Sequence, residues 1–152
     1  MTFNVHKIKL PPESVLHERT IATDFIDCFV VNSSLAAREA AEIIIKFPQW
    51  AQLLLTIRRV VTEPLGLSND GPLAEDKIGA FPVELDTDKE LVAGFDDKHL
   101  DFRVSVISQY GQVYLATWVH PHNIWGRLYL TGILPFHIMI VRDALKRVAQ
   151  HR

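Results

Sequence analysis

Four side chains in the last third of the chain have types and settings that could do chemistry on a small molecule: Arg103, Arg127, Tyr129 and His137. Arg103 lies in D-F-R-V-S-V-I-S, the others in I-W-G-R-L-Y-L-T-G-I-L-P-F-H. A guanidinium among apolar residues needs a carboxylate or carbonyl partner, or it receives the carboxylate or phosphate of a ligand. Asp101 shares one side of a strand with Arg103 and is the expected partner of Arg127, an ion pair tying helix to sheet. Tyr129 and His137 stand eight residues apart on nearby helix faces. His137 follows Pro135-Phe136, where the missing proline donor frees a carbonyl near Thr131, and it is the candidate general base. The plainer reading is a core histidine satisfied by a hydrogen bond.

Other reactive types carry less. His120 and His122 are two apart and share a face in an extended segment, as Pro121 favours at His120. Such a pair can supply two metal ligands, with His137, His99 or Asp101 as a third. No acidic residue stands at a metal-motif spacing, so neither a metal nor a cofactor is expected. Cys28, within F-I-D-C-F-V-V, reads as a small buried hydrophobe rather than a nucleophile. The chain has no G-x-S-x-G, Walker A, H-E-x-x-H or paired C-x-x-C motif.

These residues need elements to position them. Asp24–Val31 is dense in β-branched and aromatic residues and reads as a strand, with Asn32-Ser33-Ser34 ending it and supplying a helix cap. A first helix places Ala36, Ala40, Ile43, Ile44 and Phe47 on one face. Pro48 opens a second, whose stripe of Trp50, Leu53, Leu54, Ile57, Val60 and Val61 is expected to be buried. Residues 67–77 form a loop rich in turn formers. A meander follows: Phe81–Leu85, Glu90–Phe95, His99–Ser108 and Gln112–His120, joined by Asp- and Gly-bearing turns. A long apolar helix from Asn123 to about Ala149 closes the chain, with Pro135 expected to kink it. Strand, two helices, four antiparallel strands and a long helix make an α+β layout, the order of the helix-grip fold.

With 152 residues, the chain is expected to be a single domain over residues 1–152. Apolar residues are 48%, charged residues 22% and the net charge −2, a globular composition without the basic excess a nucleic-acid partner would require. One cysteine and no apolar leader in M-T-F-N-V-H-K-I-K-L-P-P lead to the expectation of a cytoplasmic protein. Ile124–Val141 is apolar at nearly membrane-spanning length. It contains Arg127, Pro135 and His137, and a helix gripped by a sheet is expected rather than a span.

Specific residues carry a resemblance. Asp24-x-x-Asp27-x-Phe29, Pro48-x-Trp50, Leu65-Gly66-Leu67, Leu100-Asp101-Phe102-Arg103 and above all Asn123-x-x-Gly126-Arg127-x-Tyr129 through Pro135-Phe136-His137 resemble a family of bacterial domains of unknown function. The likeness spans residues 14–148, and that family is grouped with START/Bet v 1-like proteins. The resemblance implies an antiparallel sheet wrapped around the C-terminal helix and an internal cavity. It implies no activity and no catalytic residue. Some members resemble C-terminal partners of Rossmann-type NAD(P)-binding domains, but this chain has no G-x-G-x-x-G. The expected function is binding of a small apolar or amphipathic ligand between sheet and helix, with Arg103, Arg127, Tyr129 and His137 as its polar contacts. An enzyme using His137, Tyr129 and Arg127 in that cavity is the second expectation. An interaction module for an oxidoreductase is the third. The helix is more apolar than one buried face requires, so a homodimer is also expected if the interior is solid.

Overall fold

The computed structural model describes residues 4–47, 49, 52–53, 64, 76–78 and 81–151. Seven antiparallel strands form one sheet in the order β1-β2-β7-β6-β5-β4-β3. They are β1 (His6–Lys7), β2 (Phe25–Asn32), β3 (Lys77–Ile78), β4 (Phe81–Asp86), β5 (Glu90–Asp96), β6 (Leu100–Gln109) and β7 (Gln112–Pro121). Helix α1 (Ala37–Ile44) follows β2, and helix α2 (Ile124–Gln150) ends the chain. This is the α+β class expected, with a long C-terminal helix packed against an antiparallel sheet in a manner consistent with a helix grip.

The topology follows from alternation and turn chemistry. In β2 the side chains of Phe25, Asp27, Phe29 and Val31 point to the helix side, while Ile26, Cys28 and Val30 point away. The β6–β7 hairpin closes on Tyr110-Gly111, with φ of 52° and 73° and Gln109 paired to Gln112. Two left-handed residues in a two-residue loop match the twist of the flanking strands. β2 then pairs with β7 over its full length, bringing the first long strand beside the last.

Both faces of the sheet are covered. On the inner face, Phe29, Leu91, Val106 and Leu115 meet Ala40, Ala41 and Ile44 of α1 and Val141, Ala144, Leu145 and Val148 of α2. The alanines let the two helices lie close, and Arg147 of α2 donates to the carbonyls of Ile43 (2.7 Å) and Ile44 (3.4 Å) at the end of α1. On the outer face, a 3₁₀ turn at Val15–Glu18 sets Leu16 over Cys28, Val30, Ala116 and Trp118. Buried Glu90 fastens that turn, accepting from Ser14 Oγ (2.8 Å), Ser105 Oγ (2.5 Å) and the Val15 amide (3.1 Å). The N-terminal segment thereby seals the second face.

Helix α2 divides into two halves. Its last turns are buried, but from Ile124 to Ile140 one stripe faces the sheet and the opposite side faces solvent. It runs unbroken through Pro135, whose ring sits on the solvent side. Asn123 caps it, its side chain accepting from the Gly126 amide at 3.1 Å. At Gly126 the helix crosses the β6–β7 end so closely that a Cβ would lie 2.1 Å from the His99 carbonyl oxygen.

Two sequence expectations change. The cap of α1 is Ala36, with no side-chain hydrogen bond, because Ser33 instead accepts from the Leu35 amide within the preceding turn (3.2 Å). Leu53, expected in a buried stripe, is 61% exposed. Trp50, Leu54, Ile57, Val60 and Val61 of that stripe lie outside the described residues.

Candidate functional site

The polar feature inside the helix–sheet seam is a carboxylate and an imidazole. Asp27 occupies a helix-facing position of β2, between Phe25 and Phe29. His137 lies on the inward stripe of α2, one turn before buried Val141. Its Nε2 is 3.0 Å from Asp27 Oδ2, and the two side chains are 17% and 4% exposed. The ring packs edge-on against Phe25, with centroids 6.2 Å apart. An ionised carboxylate only accepts, so facing one Nε2 is the donor, and in the neutral tautomer Nδ1 would then carry the lone pair. Asp27 Oδ1 is buried and has no hydrogen-bond partner among the described residues. A carboxylate oxygen in that state is unusual, because the desolvation is not offset.

Beside this pair the seam opens to solvent. A cleft of about 420 Å³ runs between the start of β2 and the first turns of α2. Phe25, Pro121 and Leu130 supply its apolar wall; Thr23, Asp24, Arg127 and Thr131 supply its polar rim. Phe25 is common to the cleft and to the His137 ring contact, so it links the rim to the buried pair.

The four expected site residues separate. His137 is in the seam and Arg127 at the cleft mouth. Tyr129 is half-buried on the first turns of α2. Arg103 is on the opposite face of the sheet, where it pairs with Glu84 (2.6 Å) and Asp96 (2.9 Å). The expected Asp101–Arg127 pair is not formed. Strand alternation turns Asp101 to the outer face with Arg103, while α2 packs on the inner one. Arg127 is exposed and makes no ion pair among the described residues. Asp27, the partner His137 actually has, was visible in sequence as one acidic residue at an inward position of an otherwise apolar strand.

The His-x-His pair lies at the outer end of β7, and each ring faces its own carboxylate. His120 Nδ1 is 2.5 Å from Asp24 Oδ1, and His122 Nε2 is 2.8 Å from Asp101 Oδ1. Burial pushes the Asp24 carboxyl up, but hydrogen bonds from His120, the Ile21 amide and Trp118 outweigh it and hold the group below its ordinary value. The rings stand 5.8 Å apart at 61°, and among the described residues no group of three His, Cys, Asp or Glu is placed to hold a metal ion. Both nitrogens of His122 face acceptors, Asp101 and the Lys98 carbonyl (3.2 Å). The hydrogen bond to Asp101, followed by that to Lys98 and the charges of Asp101 and Asp96, raises its proton affinity despite partial burial.

A raised folded-state value means that this pair contributes fully below the ordinary histidine value near pH ~6.5, and that its contribution is lost as pH rises through the folded value. Urea denaturation of the protein and of its His122→Asn variant should therefore differ most near pH 5.5. The gap, at most about 1 kcal/mol for a partly exposed pair, should close toward pH 8.5. A gap that widens with pH would refute the assignment.

Residues 20–144 match the family described as protein of unknown function (DUF2867), and the chain belongs to that family. No curated protein and no solved structure matches it.

Proposed function

We propose that the protein binds a small amphipathic ligand in the seam between α2 and the β2–β7 pair. The ligand's apolar portion lies on Phe25 and Leu130. A hydroxyl or amine donates to Asp27 Oδ1, and an acidic group at the other end meets Arg127. The observation that carries this reading is the buried, unpartnered carboxylate oxygen of Asp27, which a ligand donor would satisfy. Arg127 adds a guanidinium with no ion-pair partner among the described residues, at the mouth of the cleft beside that carboxylate.

The test is native mass spectrometry of gently purified protein, followed by titration with a fluorescent hydroxy fatty acid. We expect a retained organic molecule or saturable uptake. Asp27→Asn should weaken binding about tenfold, the loss of one hydrogen bond to a charged acceptor. Arg127→Ala, on an exposed side chain, should weaken the acid but not the corresponding alcohol. Protein that carries no guest and takes up neither probe overturns the reading.

A second reading, catalysis, is favoured by the orientation of His137. With Asp27 holding the Nε2 proton, Nδ1 is a base fixed by packing, and Tyr129 stands two turns away on the same helix. A retained molecule that is chemically changed by the protein but left intact by His137→Gln would move the assignment to an enzyme.

A further inference from the structure

On the side of α2 that faces away from the sheet lies a second apolar stripe, and we infer that it is the contact surface of a homodimer in which two α2 helices cross antiparallel at Gly132. Trp125, Leu128, Phe136 and Met139 line it, flanked by Ile124 and Ile138. These six residues are 39% to 65% exposed. They present on the order of 600 Å², the size at which a monomer's patch marks an interaction site and close to the ~800 Å² each partner gives a standard interface.

The stripe is self-complementary about its centre. Leu128 and Phe136 lie four residues either side of Gly132, and Trp125 and Met139 lie seven either side. A two-fold axis through Gly132 therefore sets Leu128 against Phe136 of the second copy and Trp125 against its Met139, large against flexible and thioether against ring. Isologous contact needs such self-complementarity; a lipid surface or an unrelated partner does not.

Gly132 itself points the same way. A glycine at an exposed mid-helix position costs about 1 kcal/mol relative to alanine. At Gly126 the fold demands it, because His99 occupies the space of a Cβ. At Gly132 a Cβ would meet nothing within 4 Å among the described residues, so these supply no reason for it. A second helix crossing there does. Membrane docking is disfavoured by charge, since Arg127 is the one Lys or Arg between Ile124 and Val141 while a surface-lying helix carries many on its polar flank.

Crossed helices stand 8–10 Å apart, which leaves facing Cα atoms roughly 4–5 Å apart at the axis and within disulfide reach. Under mild oxidation Gly132→Cys should form a disulfide-linked dimer in high yield, whereas Lys146→Cys, an exposed control on the same helix, should not. Native Cys28 is buried and does not interfere. Sedimentation at about 50 μM should give a dimer, and Leu128→Glu with Phe136→Glu a folded monomer. A monomeric wild type whose Gly132→Cys variant links no faster than the control overturns the inference. So does a Leu128→Glu variant that is monomeric like the wild type but loses stability as a core variant does, since the stripe would then be covered by the chain itself. Binding to anionic vesicles by a protein that sediments as a monomer would assign the surface to lipid instead.

Discussion

Replacing His137 by alanine should destabilise the fold by about 3–5 kcal/mol, because it leaves Asp27 buried with neither oxygen paired. The reciprocal change, Asp27→Leu, should cost much less. It removes the more deeply buried partner, and the imidazole it releases partly reaches solvent. The double replacement Asp27→Leu with His137→Leu should recover most of the loss, since an apolar pair of similar volume needs no compensating partner. Urea denaturation of the three variants measures this. Equal losses in both single variants, adding in the double, would mean that the two side chains do not interact. A stable Asp27→Leu/His137→Leu protein that no longer takes up ligand would further separate the site's recognition role from its structural one.

Leu145→Ala should cost about 2–5 kcal/mol, whereas Leu128→Ala should change the stability of the isolated protomer by less than about 0.5 kcal/mol. Leu145 is fully buried between α1 and the sheet, and Leu128 is 58% exposed. The contrast arises from one helix doing two jobs: its last turns lock the inner core, and its first four turns lie over the sheet with a free outer side. Denaturation at submicromolar concentration checks the difference. Comparable losses at both positions would put Leu128 inside a core of its own.

The strands were legible because their periods are short and their turns carry Asp or Gly. All four meander strands and β2 start within one residue of the positions read from alternation. The helix Asn123–Ala149 was legible through its cap and its length of unbroken apolar sequence. What alternation could not supply was which face of the sheet the helix would choose. That choice decides whether Asp101 or Asp27 meets an α2 side chain, and it turned on long-range packing. Arg103 was grouped with Arg127 for the same reason: both are cations in apolar runs, yet a sheet stands between Arg103 and the cleft. The outer layer was hidden because Glu90 is far in sequence from Ser14 and Leu16, and each is unremarkable by itself.

Cys28 lies in the middle of β2, 1% exposed, with its thiol pushed up to about 12 by burial and by the neighbouring Asp27 charge. At neutral pH it offers almost no thiolate, and no reagent can reach the sulfur while the N-terminal turn covers it. The chain therefore contains a silent clock. Any modification of its single thiol records a moment when the N-terminal turn had lifted from the sheet or β2 had parted from β7. The frequency of such events sets how long the protein survives among proteases and oxidants.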